Sequence, residues 1–265
     1  MASIKEWIPY HIKVAIVRLV RWPSCAREWS MGSRTRGMVD DYPMIMSEHR
    51  TPLRRGNEKD ARLQKGKERN LTIAASKTDS VVIEPGETFS YHALVGWPSR
   101  LRGFRKGLEL QHGELGSGIG GGCCALSNLL YLIALRSGME ISERHRHGLD
   151  LFPDHGRTVP FGCGATVYFP YADLKFSNPL PFPVLIETTI AGDQLLGRVR
   201  AATDPGFSFT IEEHDHHFHR DGDAWFRENR IVRIRRSNDG SILEKEEVAH
   251  NKGRCLYNPE EEGEE

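Results

Sequence analysis

The segment that most constrains the fold is residues 125–135, a run that is apolar on almost every face. A helix without a polar face has to be buried inside the protein. The run follows a glycine-rich stretch at residues 113–122 and ends before Gly138, a residue type that suits a helix C-terminus. The pattern therefore predicts a buried helix that starts directly after a glycine run.

Short segments rich in β-branched and aromatic residues, separated by Gly, Pro, Asn and Asp, predict strands at residues 141–145, 165–169, 174–176, 184–190 and 195–199. Upstream, residues 58–77 favour a helix and residues 81–83 a strand, followed by a turn with Pro85 at its second position and Gly86 at its third. We therefore expect an α+β fold in which the buried helix packs on a mainly antiparallel sheet.

The two ends of the chain differ from this middle part. Residues 8–20 have the spacing of an amphipathic basic helix, which either docks on the domain or contacts a membrane surface. Residues 24–52 show no periodicity and predict a connector, whereas 207–211 and 231–234 predict short strands. The resulting division is an N-terminal helical arm with connector (1–65), the main domain (66–205), a C-terminal β extension (206–258) and an acidic disordered tail (259–265).

Composition narrows the classes of function. The 36 basic and 36 acidic residues cancel, so nucleic-acid binding is not expected. Five cysteines without a CxxC pair argue against a disulfide framework or a zinc ribbon, and no cofactor is expected. The N-terminus shows neither a signal peptide nor a spanning helix, which predicts a protein that is cytoplasmic or peripheral at the inner membrane face. The oligomeric state does not follow from the sequence.

A candidate nucleophile lies where the glycine run meets the helix. Glycines let the backbone approach a ligand closely, and the first helical amides point towards it. Cys123 or Cys124 occupies that position. Helix-start amides and the macrodipole favour a thiolate there, although free cysteine is also among the most buried residue types. The alternatives at this stage are a reactive thiol, a packing residue, or a metal or redox ligand.

A candidate base follows on the next predicted strand. His145 and His147 are two residues apart and would face the same side of that strand. A nucleophile at a helix start with a nearby imidazole is an arrangement used in thiol acyl transfer.

A histidine-rich segment near the C-terminus is a second cluster of chemically active side chains. Strand alternation would place His214 and His216 on one face and His217 and His219 on the other. Imidazole and carboxylate groups suit several divalent metals, but a polar edge hairpin is the favoured interpretation, so we assign no metal site from the sequence.

Several motifs in this order resemble the VanW-like family over roughly residues 69 to 205. They are residues 84–90, the pair Val95-Gly96, the Gly-Gly-Gly-x-Cys run at 120–124, the Arg-x-x-His step at 144–147, and residues 173–178. Through these motifs Cys124 corresponds to the family cysteine, Cys123 to the variable position before it, and His147 to the family histidine. The chain resembles the short form of the family, which is associated with vancomycin resistance clusters.

The resemblance implies a function in the cell envelope, because some longer, exported relatives resemble peptidoglycan L,D-transpeptidases with a cysteine acyl-enzyme. It implies that Cys124 attacks a stem-peptide carbonyl and that His147, or alternatively His145, accepts the thiol proton. The residues expected to bind the substrate, a peptidoglycan stem peptide or precursor, are Gly120, Gly121, Gly122, Cys123 and Arg144. The alternative is a noncatalytic accessory protein that binds cell-wall precursors or another resistance protein.

One position departs from the family pattern. Many long members have aspartate in a Gly-x-Asp-Ala-Thr-Val stretch, where this chain has Gly164. Asp173, Asp150 or Asn178 are candidates to orient the histidine instead, with Asp173 our first choice, and a Cys–His dyad without a third member is also open.

Overall fold

A computed structural model describes residues 29–30, 32–54, 61–111, 114–146, 148–150 and 159–262. The helix predicted at residues 8–20 lies outside the described residues. The helices that fall wholly within them are α1 (Ala61–Thr78), α2 (Tyr91–Val95) and α3 (Cys124–Leu135), with 3-10 turns at Val39–Asp41, Arg100–Arg102 and Pro259–Glu262. The last turn occupies part of the predicted disordered tail.

More residues lie in strands than in helices in the described part of the chain. The strands are β1 (Met44–Pro52), β2 (Val81–Ile83), β3 (Thr88–Ser90), β4 (Lys106–Gln111), β5 (Glu114–Ile119), β6 (Glu140–Glu143), β7 (Leu149–Asp150), β8 (Lys175–Ser177), β9 (Val184–Ala191), β10 (Gln194–Ala201), β11 (Phe207–Asp221), β12 (Ala224–Ser237) and β13 (Ile242–Cys255). They form sheets of order β1-β10-β9-β2, β11-β12-β13-β7 and β3-β8-β6, together with the hairpin β4-β5. Every pairing is antiparallel except β13 with β7, so the predicted antiparallel α+β class is confirmed.

The buried helix α3 lies against β1 and β10 of the main sheet. Leu126, Leu129 and Ile133 are buried on it and belong to the principal core. The helix approaches the sheet closely at Gly197 of β10, where an added Cβ would lie 2.9 Å from a methyl group of Leu129. Helix α3 is thus buried against an antiparallel sheet.

Strand β1 lies within residues 24–52, for which the sequence predicts a connector, so that prediction is wrong at residues 44–52. It pairs with β10 at the edge of the main sheet, from Met44 opposite Ala201 to Pro52 opposite Gln194. Most of its side chains are exposed or half-buried, so the alternation that marks a strand is weak. The main sheet therefore begins before residue 66.

The strand predicted at residues 165–169 is wrong. The backbone amides of this segment form hydrogen bonds outside any sheet. The Ala165 amide donates to the Asn128 side chain on α3, and the Thr166 amide donates to the His145 carbonyl at 2.7 Å. The segment therefore runs as a loop along the start of α3, where it helps to build the candidate site.

Three long strands, β11 to β13 (residues 207–255), form what we call the C-terminal arm. They span 14 or 15 residues each, so the short pieces expected here are wrong. The arm is anchored on the main domain by Phe209, which packs against Gly138, and by Arg233, which donates to the Met139 carbonyl at 2.7 Å.

The predicted alternation of the arm's histidines is also wrong, because a β-bulge lies between His214 and His217 and Asp215 has a φ of 52°. An inserted residue moves His214 to the face that carries His217 and His219.

None of the helices in the described ranges combines the length and the apolar character that crossing a membrane requires.

Candidate functional site

Cys124 is the first residue of α3, and the turn before it explains why the helix starts there. Gly122 adopts a φ of 94°, which favours glycine, and the amides of Ala125 and Leu126 donate to the carbonyls of Gly122 and Cys123. These two amides, which the sequence suggested as free donors for a ligand, are thus engaged within the turn. The Cys124 thiol donates to the Val167 carbonyl at 3.7 Å.

Cys124 is half-buried, whereas the other described cysteines, Cys123, Cys163 and Cys255, are buried. Burial raises the pKa of the Cys124 thiol, the hydrogen bond to Val167 lowers it, and the charge of Glu109 raises it further, so that the pKa lies above its ordinary value. The helix start favours a thiolate, but burial outweighs this effect. The thiol therefore rests in its protonated form near neutral pH.

The thiol of Cys123 and the phenol of Tyr91 are buried next to Cys124. Burial raises the pKa of Cys123 to about 12, although the neighbouring Tyr91 hydroxyl lowers it. Tyr91 is buried, and its pKa is raised by burial and by the two adjacent cysteines. Cys123 thus lies in the core, while Cys124 is the less buried residue of the pair.

The alkylation of Cys124 by iodoacetamide tests this arrangement. With Cys25 replaced by serine, Cys124 should react before the buried cysteines, and its rate should be low at neutral pH and rise only above the ordinary thiol pKa of about 8.5. Peptide mass spectrometry from about pH 6 to about pH 10 measures this profile. Glu109→Gln should move the profile to lower pH. An inflection below neutral pH would contradict the raised pKa.

His145 lies just beyond the end of β6, so the prediction that a strand carries it is wrong. Its Nε2 lies 2.9 Å from Oε1 of Glu143, and because a carboxylate only accepts, Nε2 carries the proton. The other nitrogen, Nδ1, is then the basic one. The backbone of His145 is bonded to Thr166, next to the Val167 carbonyl that accepts from Cys124. His147 lies outside the described residues.

Glu143 is a residue that sequence reasoning missed. Its carboxylate lies 2.9 Å from the Lys175 ammonium and accepts from the Asp173 amide at 3.0 Å. Burial raises the pKa of Glu143, but the bonds from Lys175, Asp173 and His145 outweigh it and lower the pKa to about 2. Its position two residues before His145 was the available signal, because residues i and i+2 share a strand face.

The candidate orienting residues bond to other groups. Asp173 accepts from the Ser90 hydroxyl at 2.6 Å and from the amides of His92 and Leu174, so it fixes the start of α2. Asp150 is bonded to Arg227. Asn178 donates to two carbonyls and accepts from the Leu180 amide.

At Gly164, where many long family members have aspartate, the backbone packs against Asn128 of α3. An added Cβ would lie 2.9 Å from the amide oxygen of Asn128, which is one helical turn after Cys124. The helix therefore fills the space in which a side chain at position 164 would begin.

The residues predicted to bind substrate have contacts within the protein. Arg144 donates to the carbonyls of Gly162 and Gly164 and lies 4.4 Å above the Tyr131 ring. In the glycine run, Gly120 packs on Pro98 and Gly122 on the Lys67 side chain. A role in substrate binding for Gly120, Gly121, Gly122, Cys123 and Arg144 stays a prediction.

Gly121 belongs to what we call the glycine junction, formed by Gly66 of α1, Gly107 of β4 and Gly121. A Cβ atom added at Gly66 would overlap the Lys106 carbonyl. A Cβ atom added at Gly107 would overlap the Gly121 carbonyl, and one added at Gly121 would overlap the Gly107 carbonyl. The Asn70 side chain closes the junction by donating to the Gly121 carbonyl at 3.0 Å. The run thus brings three backbone segments together behind Cys124.

The chain belongs to the family of VanW-like proteins, because the family model matches residues 66–200, half of the chain. The resemblance inferred from the motifs is confirmed. No solved structure matches the chain.

Two relatives are similar to this chain in sequence. The chain is 26% identical over 247 residues to the vancomycin B-type resistance protein VanW of Enterococcus faecalis, an alignment that covers 92% of this chain and 88% of that protein. It is 32% identical over 135 residues to the uncharacterized protein YoaR of Bacillus subtilis, covering 50% of this chain and 42% of that protein.

Proposed function

We propose that this chain acts in glycopeptide resistance as a cysteine-dependent acyl-transferase on peptidoglycan stem peptides or their precursors. The observation that carries the proposal is the position of Cys124, the half-buried thiol at the start of α3, beside the segment that bonds to His145. The alignment with a vancomycin resistance protein along 92% of the chain supports the biological setting.

The raised pKa of Cys124 determines how such a reaction proceeds. Because the thiol is protonated at rest, its proton leaves as the sulfur–carbon bond to the stem-peptide carbonyl forms. His147 or His145 accepts that proton and passes it to the departing amine when the carbon–nitrogen bond breaks. An acceptor amine then attacks the thioester, loses its proton to the imidazole, and the thiol is restored. The positive end of α3 favours the charge that develops on the carbonyl oxygen.

A second candidate function is a noncatalytic accessory module that binds cell-wall precursors. Three observations favour it: the raised pKa of Cys124, the engagement of the Ala125 and Leu126 amides within the turn, and the contacts that fill the space around the glycine run.

A covalent trapping experiment separates the two functions. The full chain is incubated with a disaccharide tetrapeptide and analysed by intact-mass and peptide mass spectrometry. We expect a thioester on Cys124 that is lost in Cys124→Ala and retained in Cys163→Ser, a matched change of a buried cysteine. Joint replacement of His145 and His147 by alanine should reduce adduct formation by about 100-fold or more.

Absence of the adduct, together with saturable binding of the muropeptide that Cys124→Ala leaves unchanged, would overturn the enzyme proposal in favour of the accessory function. An adduct on any other cysteine would overturn the assignment of Cys124.

A further inference from the structure

The outer part of the C-terminal arm carries a cluster of metal-ligating side chains on one face. His217 and His219 project from β11, and Glu228 projects from β12 opposite His217. One ligand atom from each of the three residues lies within 4.8 Å of the other two. The bulge at Asp215 adds one residue to β11 relative to β12, and this extra residue sets the register that pairs His217 with Glu228.

Both imidazoles are held in orientations that suit ligands. Nδ1 of His217 lies 2.9 Å from the Asp215 carbonyl, which only accepts, so this nitrogen is the donor and Nε2 is left as the ligand atom. A backbone carbonyl on the second ring nitrogen is the usual partner of a metal-bound histidine. The ring of His219 stacks on Phe226 at 5.7 Å, with its Nδ1 shielded from solvent and lacking a hydrogen-bond acceptor or donor within the described residues.

Glu228 lies between these imidazoles and a second set of groups on β13. Nδ1 of His219 is 4.0 Å from Oε2 of Glu228, and Nε2 of His250 is 2.6 Å from Oε1. The Lys252 ammonium is 3.9 Å from Oε2. One carboxylate oxygen can therefore face the two histidines while the other stays bonded to His250.

We propose that His217, His219 and Glu228 bind one divalent ion of the zinc class. Two imidazoles and one carboxylate suit Zn²⁺, which takes such ligands at about 2.0 to 2.2 Å and commonly leaves a fourth position for water. Ions such as Mg²⁺ and Ca²⁺ prefer oxygen ligands and fit this set poorly. Rotations of the exposed His217 and of the half-buried His219 and Glu228 side chains close the set around the ion, which then links β11 to β12 beyond the bulge.

The experiment uses the full chain, freed of metal with a chelator, and Zn²⁺ alone as the probe in the presence of excess Mg²⁺. Competition with a chromogenic chelator measures affinity and stoichiometry. We expect one Zn²⁺ per chain at this site, and a loss of affinity of at least about tenfold in His217→Ala and in Glu228→Gln. His216→Ala is the matched control, because His216 lies on the opposite face of β11 beside Phe218.

His217 is exposed, so its replacement is compatible with folding, which circular dichroism verifies for each variant. Equal affinity and stoichiometry in His217→Ala and His216→Ala would overturn the proposal, because thiols and other histidines would then account for the binding. Hydrogen exchange gives an independent measurement: Zn²⁺ should slow exchange of the β11 and β12 amides next to the cluster. Slowing confined to any other part of the chain would place the ion elsewhere and equally overturn the proposal.

Discussion

Replacing Gly66 by alanine is expected to destabilise the protein by about 3 kcal/mol or more, the upper range for overpacking a core. Gly66 lies inside α1, where alanine normally stabilises a helix by roughly 1 kcal/mol relative to glycine. Here the added methyl group would overlap the Lys106 carbonyl oxygen of β4. Because that oxygen belongs to backbone, no side-chain rotation relieves the overlap. The sign of the effect is thus opposite to that of helix propensity.

Chemical denaturation followed by circular dichroism measures this loss, which should also lower Tm by roughly 6 to 12 °C. Gly148→Ala is the matched control, since an added Cβ there meets no atom within 4 Å and the backbone φ is not in the left-handed region. Its stability should stay within about 0.5 kcal/mol of the parent chain. A Gly66→Ala variant as stable as Gly148→Ala would mean that α1 and β4 do not meet at the glycine junction.

The glycine junction also supports the candidate site. The glycine junction includes Gly121, in the turn that leads into Cys124, so a shift of α1 against β4 also displaces Gly121 and the start of α3. The glycine run was first interpreted as a place where backbone approaches a ligand. At Gly121 the run brings backbone against backbone, and the site depends on that packing, while approach to a ligand stays a prediction.

Residues that carry the main core were predictable from sequence because their patterns are local. Helix α3 is apolar on nearly all faces, and β9 and β10 are short apolar runs between turns, so each segment signals its burial. By contrast, β1 is an edge strand with mostly exposed side chains, and the hairpin β4-β5 is rich in glycine. Their strand structure comes from pairing with partners distant in sequence, which no local pattern encodes.

The chemistry of the candidate site was predictable only in part, for the same reason. The sequence places Cys124 at a helix start, which favours a thiolate, but burial raises its pKa, and the Val167 carbonyl that accepts from the thiol is distant in the chain. Likewise, the single inserted residue at Asp215 changes which histidines share a face of β11. A bulge of this kind depends on the register of the partner strand rather than on local composition.

The second large effect is expected at the ion pair that fixes the C-terminal arm. Arg227 of β12 is 2% exposed, and its Nη1 lies 3.3 Å from Oδ2 of Asp150 on β7. The guanidinium also lies over the rings of Phe161 at 4.9 Å and Phe218 at 5.3 Å, and the Tyr257 hydroxyl donates to the same Asp150 oxygen at 2.8 Å. Asp150, considered from sequence as a partner for the candidate histidine base, thus holds a buried cation.

Replacing Asp150 by alanine should destabilise the protein by about 3 to 5 kcal/mol, because it leaves a buried guanidinium without this carboxylate. Denaturation followed by tryptophan fluorescence measures the loss, since Trp225 lies on β12 two residues before Arg227. Asp223→Ala is the matched control: its carboxylate pairs with Arg220 at 4.0 Å on the fully exposed tip of the arm, and stability should be unchanged within error.

A double variant separates charge burial from loss of packing at this position. Adding Arg227→Met to Asp150→Ala removes both buried charges and keeps an unbranched apolar chain next to Phe161 and Phe218. The double variant should therefore be more stable than Asp150→Ala alone, since an uncompensated buried charge is costlier than an apolar replacement of the pair. If the two substitutions instead add, then packing around Arg227 and Asp150, rather than their charge pairing, stabilises the link between β12 and β7 across β13.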